Sequence, residues 1–185
     1  MTDFIGTIDF AILDAIQDTL RCGAADAAMA AVSRIGGGMI WIMIGITLLF
    51  FKKYRFCGIA MLCAMAAALL LTEFAVKLLV LRERPYLLNP EIVLAVSEPS
   101  GTSFPSAHTS TSFASAVPLF RGKRLWGILG CCFAALVGFS RLYLYVHFPS
   151  DVLAGAVLGV GIGLLFSFLF EKAGRKLPRK GRDRI

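Results

Sequence analysis

Long apolar runs dictate what this chain can become. Residues 29–51, 56–81, 125–146 and 149–170 carry at most two charges each. Each covers the roughly 20 residues that a helix needs to cross a bilayer. Residues 106–120 form a shorter fifth stretch. With 57% apolar and 17% charged residues, the chain departs from the about 45–50% and about 25% of soluble domains. Its mean hydropathy is +0.75. A water-soluble core cannot hide this much apolar surface, and the same composition excludes a disordered chain, a collagen, a coiled coil and a disulfide scaffold. The chain is expected to live in a membrane.

The first stretch, residues 3–21, is different. Asp9, Asp14 and Asp18 stand among Phe4, Ile5, Ile8, Ile12, Leu13 and Ile16, a spacing that gathers apolar residues on one helical face and predicts an interfacial helix. Its acidic start lacks the basic region of a cleaved signal peptide. The expected fold is therefore an all-α polytopic membrane helix bundle. It has five spans, or six if the N-terminal helix also crosses. Residues 1–171 would form one membrane domain and 172–185 a basic cytoplasmic tail.

A net charge of +7 points to nucleic acid only until its placement is considered. Seven of the nineteen Lys and Arg residues follow position 171, where they read as a solvated tail beside anionic headgroups. Lys52, Lys53 and Arg55 follow the first span, and Arg121, Lys123 and Arg124 the third. With five crossings these clusters and the tail share one side, which is cytoplasmic by the positive-inside rule. The N-terminal helix and the loops bearing Glu83, Glu91 and Glu98 then face out. No nucleic-acid partner is expected. The five cysteines show no CxxC spacing and there are only two histidines, so neither disulfides nor a metal site is expected.

Three polar stretches fall on the outer side. In the first, Lys77 and Arg84 are seven residues apart, close to two helical turns, so both should project from one face before Pro85 ends the span. Alone, such a pair is more often a snorkelling anchor. The second, Phe104-Pro105-Ser106-Ala107-His108, reads as a helix start with Pro at its first position. Free N–H groups at Ala107 and His108, with the Ser106 hydroxyl, would make an anion site. Alone, it is equally well a packing helix with a capping serine. The following TSTSFAS is too polar to face lipid and should face the bundle interior.

The third stretch, from Ser140 and Arg141 to His147, Pro149 and Asp151, repeats the Phe-Pro-Ser device. Asp151, four residues after His147, can accept from one imidazole nitrogen and leave the other free as a nucleophile. Singly it is a surface histidine beside a helix-dipole partner. All three stretches on one side are harder to dismiss. Three cations without matching acids call for a multiply charged anion, for which phosphate fits best. Two histidines in different settings suit a nucleophile and a general acid.

The set Lys77-x6-Arg84-Pro85, Pro105-Ser106-Ala107-His108 and Ser140-Arg141-x5-His147-x3-Asp151 resembles the three-part signature of the type 2 phosphatidic acid phosphatases, the lipid phosphate phosphatases. The resemblance covers residues 77–151 and the helices around them. It implies that His147 attacks phosphorus to form a phosphohistidine, that Asp151 orients His147, and that His108 protonates the departing oxygen. Lys77, Arg84, Arg141, Ser106 and the backbone at Ala107 and His108 would hold the phosphoryl oxygens. Ser140 belongs to the motif, with a helix-end hydroxyl role equally open. No cofactor or metal is implied, since fixed cations supply the charge stabilisation. The family usually has Gly where this chain has Ala107, which is harmless if the residue is helical and disruptive if φ must be positive.

The expected protein is a multi-pass cell-membrane phosphatase with an extracytoplasmic site and a lipid phosphate or diphosphate as its substrate partner. Small bacterial undecaprenyl-pyrophosphate phosphatases are the favoured likeness. Phosphatidylglycerophosphate, phosphatidic acid or lipid A phosphatases are the alternatives, and an anion transporter or channel is the rival of another class. The 89–103 loop is expected to read the headgroup. Gly155, Gly159 and Gly163 are expected to form a close-packing ridge, and Gly36 to Gly38 a second such patch or a kink.

Overall fold

The computed structural model describes residues 4–176, with side chains through 172. Most of the expected basic tail, 172–185, lies outside the described residues. Helices α1 (Phe4–Leu20), α2 (Gly23–Gly36), α3 (Met39–Phe50) and α4 (Arg55–Leu71) come first. A π-helical turn, Thr72–Val76, leads into α5 (Lys77–Leu79), and the short α6 (Pro85–Leu88) follows. Then come α7 (Ala107–Ala116), a 3₁₀ turn (Val117–Arg121), α8 (Arg124–Tyr143) and α9 (Pro149–Lys176). No strand occurs among the described residues.

Three helical stretches are long and apolar enough to cross a membrane: Arg55–Leu79, Arg124–Tyr143 and Pro149–Lys172. A fourth arises if α2 and α3, bent by 43° at their junction, act as one. The protein is a multi-pass, all-helical membrane protein. The bend falls in the Gly36-Gly37-Gly38 run, where Gly38 has φ 128°, a conformation open to glycine and costly to most other residues. That run is both a break in the helix and a close contact: a Cβ on Gly36 would stand 2.2 Å from Val137 Cγ2.

The expected third span is short: ten residues of α7 and five of 3₁₀ helix. Its Thr109, Ser110, Thr111, Ser112 and Ser115 are all buried. Thr111 and Ser115 donate back to the carbonyls of Ala107 and Thr111, each at 2.8 Å, and Trp41 Nε1 donates to Ser112 Oγ at 3.1 Å. The helix is polar because it stands inside the bundle, where its hydroxyls find partners. The glycine ridge of α9 is what lies against it. A Cβ on Gly155 would come within 2.7 Å of Ser106 O, and one on Gly159 within 2.3 Å of Ser110 O. The missing side chains let two backbones touch.

Helix α1 is two-sided. Phe4, Ile5, Ile8 and Ile12 are exposed, whereas Asp9 and Leu13 are buried, Leu13 packing with Tyr145 and Phe148. At the other end of the bundle, Arg121 and Glu171 form an ion pair.

Three sequence expectations about these elements are corrected. The second span stops at Leu79, and Arg84 is extended (φ −82°, ψ 150°), as the following proline demands. Lys77 and Arg84 therefore do not share a helical face, and Pro85 opens α6 rather than closing a span. Pro105 is not the first residue of α7: the Phe104–Pro105 bond is cis, and Ser106 is the N-cap. Pro149, by contrast, is the first residue of α9, so the two Phe-Pro-Ser segments are different structures.

Candidate active site

The site draws on the start of α7, the end of α8 and the start of α9, with residues of α1, α2 and the 80–84 segment beside them. Ser106 N–H donates to Asp151 O at 3.1 Å, stitching the start of α7 to the first turn of α9. Between α8 and α9 the chain reverses through Tyr145, the one non-glycine residue with positive φ (57°) among those described. An aromatic residue there costs on the order of 1–3 kcal/mol, and hydrogen bonds hold it, one of them from Asn89 Nδ2 to its hydroxyl at 3.4 Å. Its hydroxyl donates to Asp14 Oδ1 at 2.8 Å, and its N–H donates to Leu142 O at 2.9 Å. Two residues later the chain presents His147.

His147 is 2% exposed. Its Nδ1 lies 3.6 Å from Asp151 Oδ2, too long for a formed hydrogen bond, and has no other partner. Its Nε2 lies 3.3 Å from Arg84 Nη1. A proton on Nδ1, facing the carboxylate, leaves the Nε2 lone pair facing Arg84. Burial pulls the His147 pKa down to about 4; the nearby Asp151 carboxylate raises it in opposition, and Arg141 and Arg84 depress it further. The ring is neutral at ordinary pH.

Arg84 is 3% exposed and is fixed by carbonyls. Its Nη1 donates to Val146 O at 3.0 Å, its Nε to Gly101 O at 2.9 Å and its Nη2 to Ser100 O at 3.1 Å. Burial lowers its pKa from the ordinary arginine value. Carbonyl partners leave the cation un-neutralised, so its charge stays available to an anion.

Asp151 is wholly buried. Its Oδ2 accepts from Phe148 N–H at 2.9 Å and its Oδ1 from Arg82 Nη1 at 2.7 Å. Arg82 was not singled out in the sequence, and Asp9 only as one of the acids of the N-terminal helix. Arg82 Nη2 reaches Asp9 Oδ2 at 2.7 Å, Nη1 reaches Ser150 Oγ at 2.6 Å, and its guanidinium lies 4.0 Å from the Phe148 ring centre. Asp9 also accepts from Ser150 N–H at 2.9 Å. An unmatched outer arginine and a buried-face aspartate were the available signals; their separation of 73 residues hid the pairing.

His108 and Arg141 line one cavity of about 640 Å³ with Ser33, Arg34 and Ser97. Arg141 Nη1 donates to Ser33 Oγ, and its buried Nε has no partner. His147, Arg84, Arg141 and Lys77 all lie within electrostatic reach of His108. Gly37 packs against that imidazole: a Cβ there would stand 2.9 Å from His108 Nε2. A second cavity of about 660 Å³, running past Trp41 to Lys123, holds none of these groups.

The remaining expected residues fare unequally. Lys77 is paired with Glu73 at 2.6 Å, so the expectation of three cations without acids is corrected for it. The π-helical turn supplies that partner. Ser106 is fully buried and its hydroxyl accepts from Thr109 Oγ1 at 3.0 Å. It makes no side-chain cap. Ala107 is helical with negative φ, so its methyl group carries no conformational penalty. Ser140 Oγ donates to Val137 O at 2.7 Å, a helix-end contact.

Comparison with known proteins sets this geometry in context. The sequence profile described as the PAP2 superfamily matches residues 58–175, more than half the chain. An undecaprenyl-diphosphatase of Sulfolobus acidocaldarius is 36% identical over 139 residues, covering 74% of this chain and 66% of that protein. A lipid A 4'-phosphatase of Bacteroides thetaiotaomicron is 33% identical over 163 residues, covering 79% and 71%. The crystal structure of a transmembrane PAP2 type phosphatidylglycerolphosphate phosphatase from Bacillus subtilis superposes with a TM-score of 0.74 at 28% identity, covering 97% and 90%.

Proposed function

The chain belongs to the PAP2 superfamily, and from that premise we propose that it is an integral-membrane phosphatase cleaving a lipid phosphate or diphosphate, undecaprenyl diphosphate in preference. The observation that carries this reading is the two-sided setting of His147, with Nδ1 toward Asp151 and Nε2 toward Arg84. A neutral imidazole so oriented is a nucleophile aimed at whatever Arg84 binds. The relatives named for undecaprenyl diphosphate and lipid A support a long-chain lipid substrate.

In the first step Nε2 bonds to phosphorus while the bond from phosphorus to the leaving oxygen breaks. That oxygen keeps the electron pair and takes a proton from His108. Arg84, Arg141 and the free N–H groups at the start of α7 hold the non-bridging oxygens, where fixed donors stabilise charge as it develops. In the second step water attacks the phosphohistidine, His108 receives a proton, and phosphate leaves with His147 neutral. Asp151 holds the ring orientation throughout. The role of Lys77 is limited by its pairing with Glu73 to the field it contributes.

We also assign the topology from charge. The basic clusters at Lys52–Arg55 and Arg121–Arg124 are cytoplasmic by the positive-inside rule, which puts the histidines outside. The crossings would be α2–α3, α4, the α7 segment, α8 and α9, with α1 lying in the interface on its exposed Ile5, Ile8 and Ile12.

The test is phosphate release from a panel of lipid phosphates and diphosphates in detergent, by the wild type and by His147→Asn, with EDTA present. Release by the wild type alone supports the reading. Equal release by both removes the nucleophile assignment.

A further inference from the structure

Arg34 is on the cavity wall with His108 and Arg141, yet no motif contains it. It sits in the last turn of α2, and its own carbonyl lies 3.4 Å from where a Cβ on Gly37 would be, the point that is also 2.9 Å from His108 Nε2. The last turn of α2 is therefore packed on the general-acid side of the site. The break at Gly37 and Gly38 lets it approach so closely.

Arg34 differs from the other site arginines in having nothing to do. Arg82 is held by two carboxylates, Arg84 by three carbonyls and Arg141 by Ser33. Among the described residues no side chain pairs with the Arg34 guanidinium, which is exposed. Glu98, which follows Ser97 of the Arg34 cavity, lines a neighbouring cavity instead. A single unpaired arginine at a membrane edge is commonly a headgroup anchor. This one shares a cavity with a proton donor.

The chemistry on that side depends on the substrate. When His147 takes the phosphoryl group of a monoester, the departing oxygen, protonated by His108, belongs to a neutral alcohol. When it takes the distal phosphoryl group of a diphosphate, the bond to the bridging oxygen breaks and the electron pair leaves with a lipid monophosphate. That leaving group keeps its own negative oxygens. Only the second case needs a cation on the His108 side.

Resting on the phosphatase reading above, we infer that Arg34 binds the proximal phosphate of a lipid diphosphate and sets the preference for diphosphates over monophosphates. A guanidinium suits this because it can hold two oxygens of one phosphate at once. It contributes most after the bridging bond weakens, when charge grows on the proximal group. Arg34 then raises kcat as well as affinity for diphosphates.

The test compares wild type, Arg34→Gln and Arg34→Lys as full chains in neutral detergent. The two substrates carry the same prenyl tail, one ending in a diphosphate and the other in a monophosphate. Arg34→Gln is expected to lower kcat/KM for the diphosphate about tenfold or more, the size of a lost charge-assisted bond, and to leave the monophosphate within about twofold. Arg34→Lys should fall between, and inorganic pyrophosphate should lose inhibitory strength against Arg34→Gln while orthophosphate does not. An equal loss on both substrates marks a headgroup anchor and overturns the inference. No loss on either substrate overturns it too. A wild type inert toward both would instead sink the phosphatase reading itself.

Discussion

Asp151 Oδ1 and Arg82 Nη1 stand 2.7 Å apart, and this contact together with the Phe148 N–H, rather than the longer 3.6 Å approach to His147, holds the buried carboxylate. Arg82 is held in turn by Asp9 of α1. The setting of Asp151 beside His147 thus depends on a helix that lies outside residues 58–175 of the family match.

Removing Arg82 leaves Asp151 a buried charge with one backbone donor. Breaking one side of a buried ion pair costs about 3–5 kcal/mol, so Arg82→Ala should lower the thermal midpoint in detergent and abolish turnover together. Asp9→Asn is milder, since Arg82 keeps Asp151 and Ser150. It should reduce kcat roughly tenfold with KM little changed, a positioning effect of the size that partners behind metal ligands have. Steady-state kinetics on one lipid phosphate would check the split. A change confined to KM would assign Asp9 to substrate binding instead.

His147, depressed to about 4 by burial, should stay neutral well below the ordinary histidine value of about 6.5. The chain has two histidines, so its imidazole resonances are countable by NMR on ¹⁵N-histidine-labelled, untagged protein. The His147 signal should hold its neutral shift until the pH nears 4. For stability the sign is clear. Above about pH 6.5 both folded and unfolded chains leave this ring neutral. As the pH falls from there toward about 4, the unfolded chain takes up the proton first and stability drops. Titration of His147 near 6.5 would contradict this account.

Gly37→Ala places a methyl group 2.9 Å from His108 Nε2, so either the imidazole or the α2–α3 bend must give way. A displacement of about 1 Å at a reacting group costs on the order of a hundredfold in rate. We expect kcat to fall by about that much while helix content by circular dichroism stays unchanged. Unchanged turnover would mean that His108 can retreat without consequence for proton transfer.

The spans and the motif residues were legible because they depend on local properties. Hydropathy along α4, α8 and α9 marks a membrane helix wherever it occurs, and the polarity of TSTSFAS told that α7 faces protein. What misled was continuity. Periodicity carried the second span through to Arg84, but Pro85 forces an extended residue before it and the helix ends at Leu79. Lys77 pairs with Glu73 at the i,i+4 spacing that a helical reading makes available; counting only the loop acids left that partner out. Asp9 and Arg82 meet only through the tertiary packing of α1 on the loop, which no spacing rule encodes. Ala107, an apparent departure from the motif, became harmless once its helical backbone was known.

Two glycines of α9 offer a paired measurement of how tightly the bundle is built. Gly159 faces α7, and a Cβ there would lie 2.3 Å from the carbonyl oxygen of Ser110. Gly161, half a turn away, has nothing within 4 Å. Overpacking at a close contact costs about 1–3 kcal/mol, and here the obstacle is backbone, which cannot rotate aside. Alanine in place of an exposed helical glycine instead gains up to about 1 kcal/mol. Gly159→Ala should therefore lower the unfolding midpoint in detergent while Gly161→Ala leaves it unchanged or raises it. Because Ser106 N–H donates to Asp151 O, pushing α9 from α7 also loosens the seam beneath His147. Gly159→Ala should thus lose activity at temperatures where it is still folded, and a variant that loses stability alone would disconnect the ridge from the site.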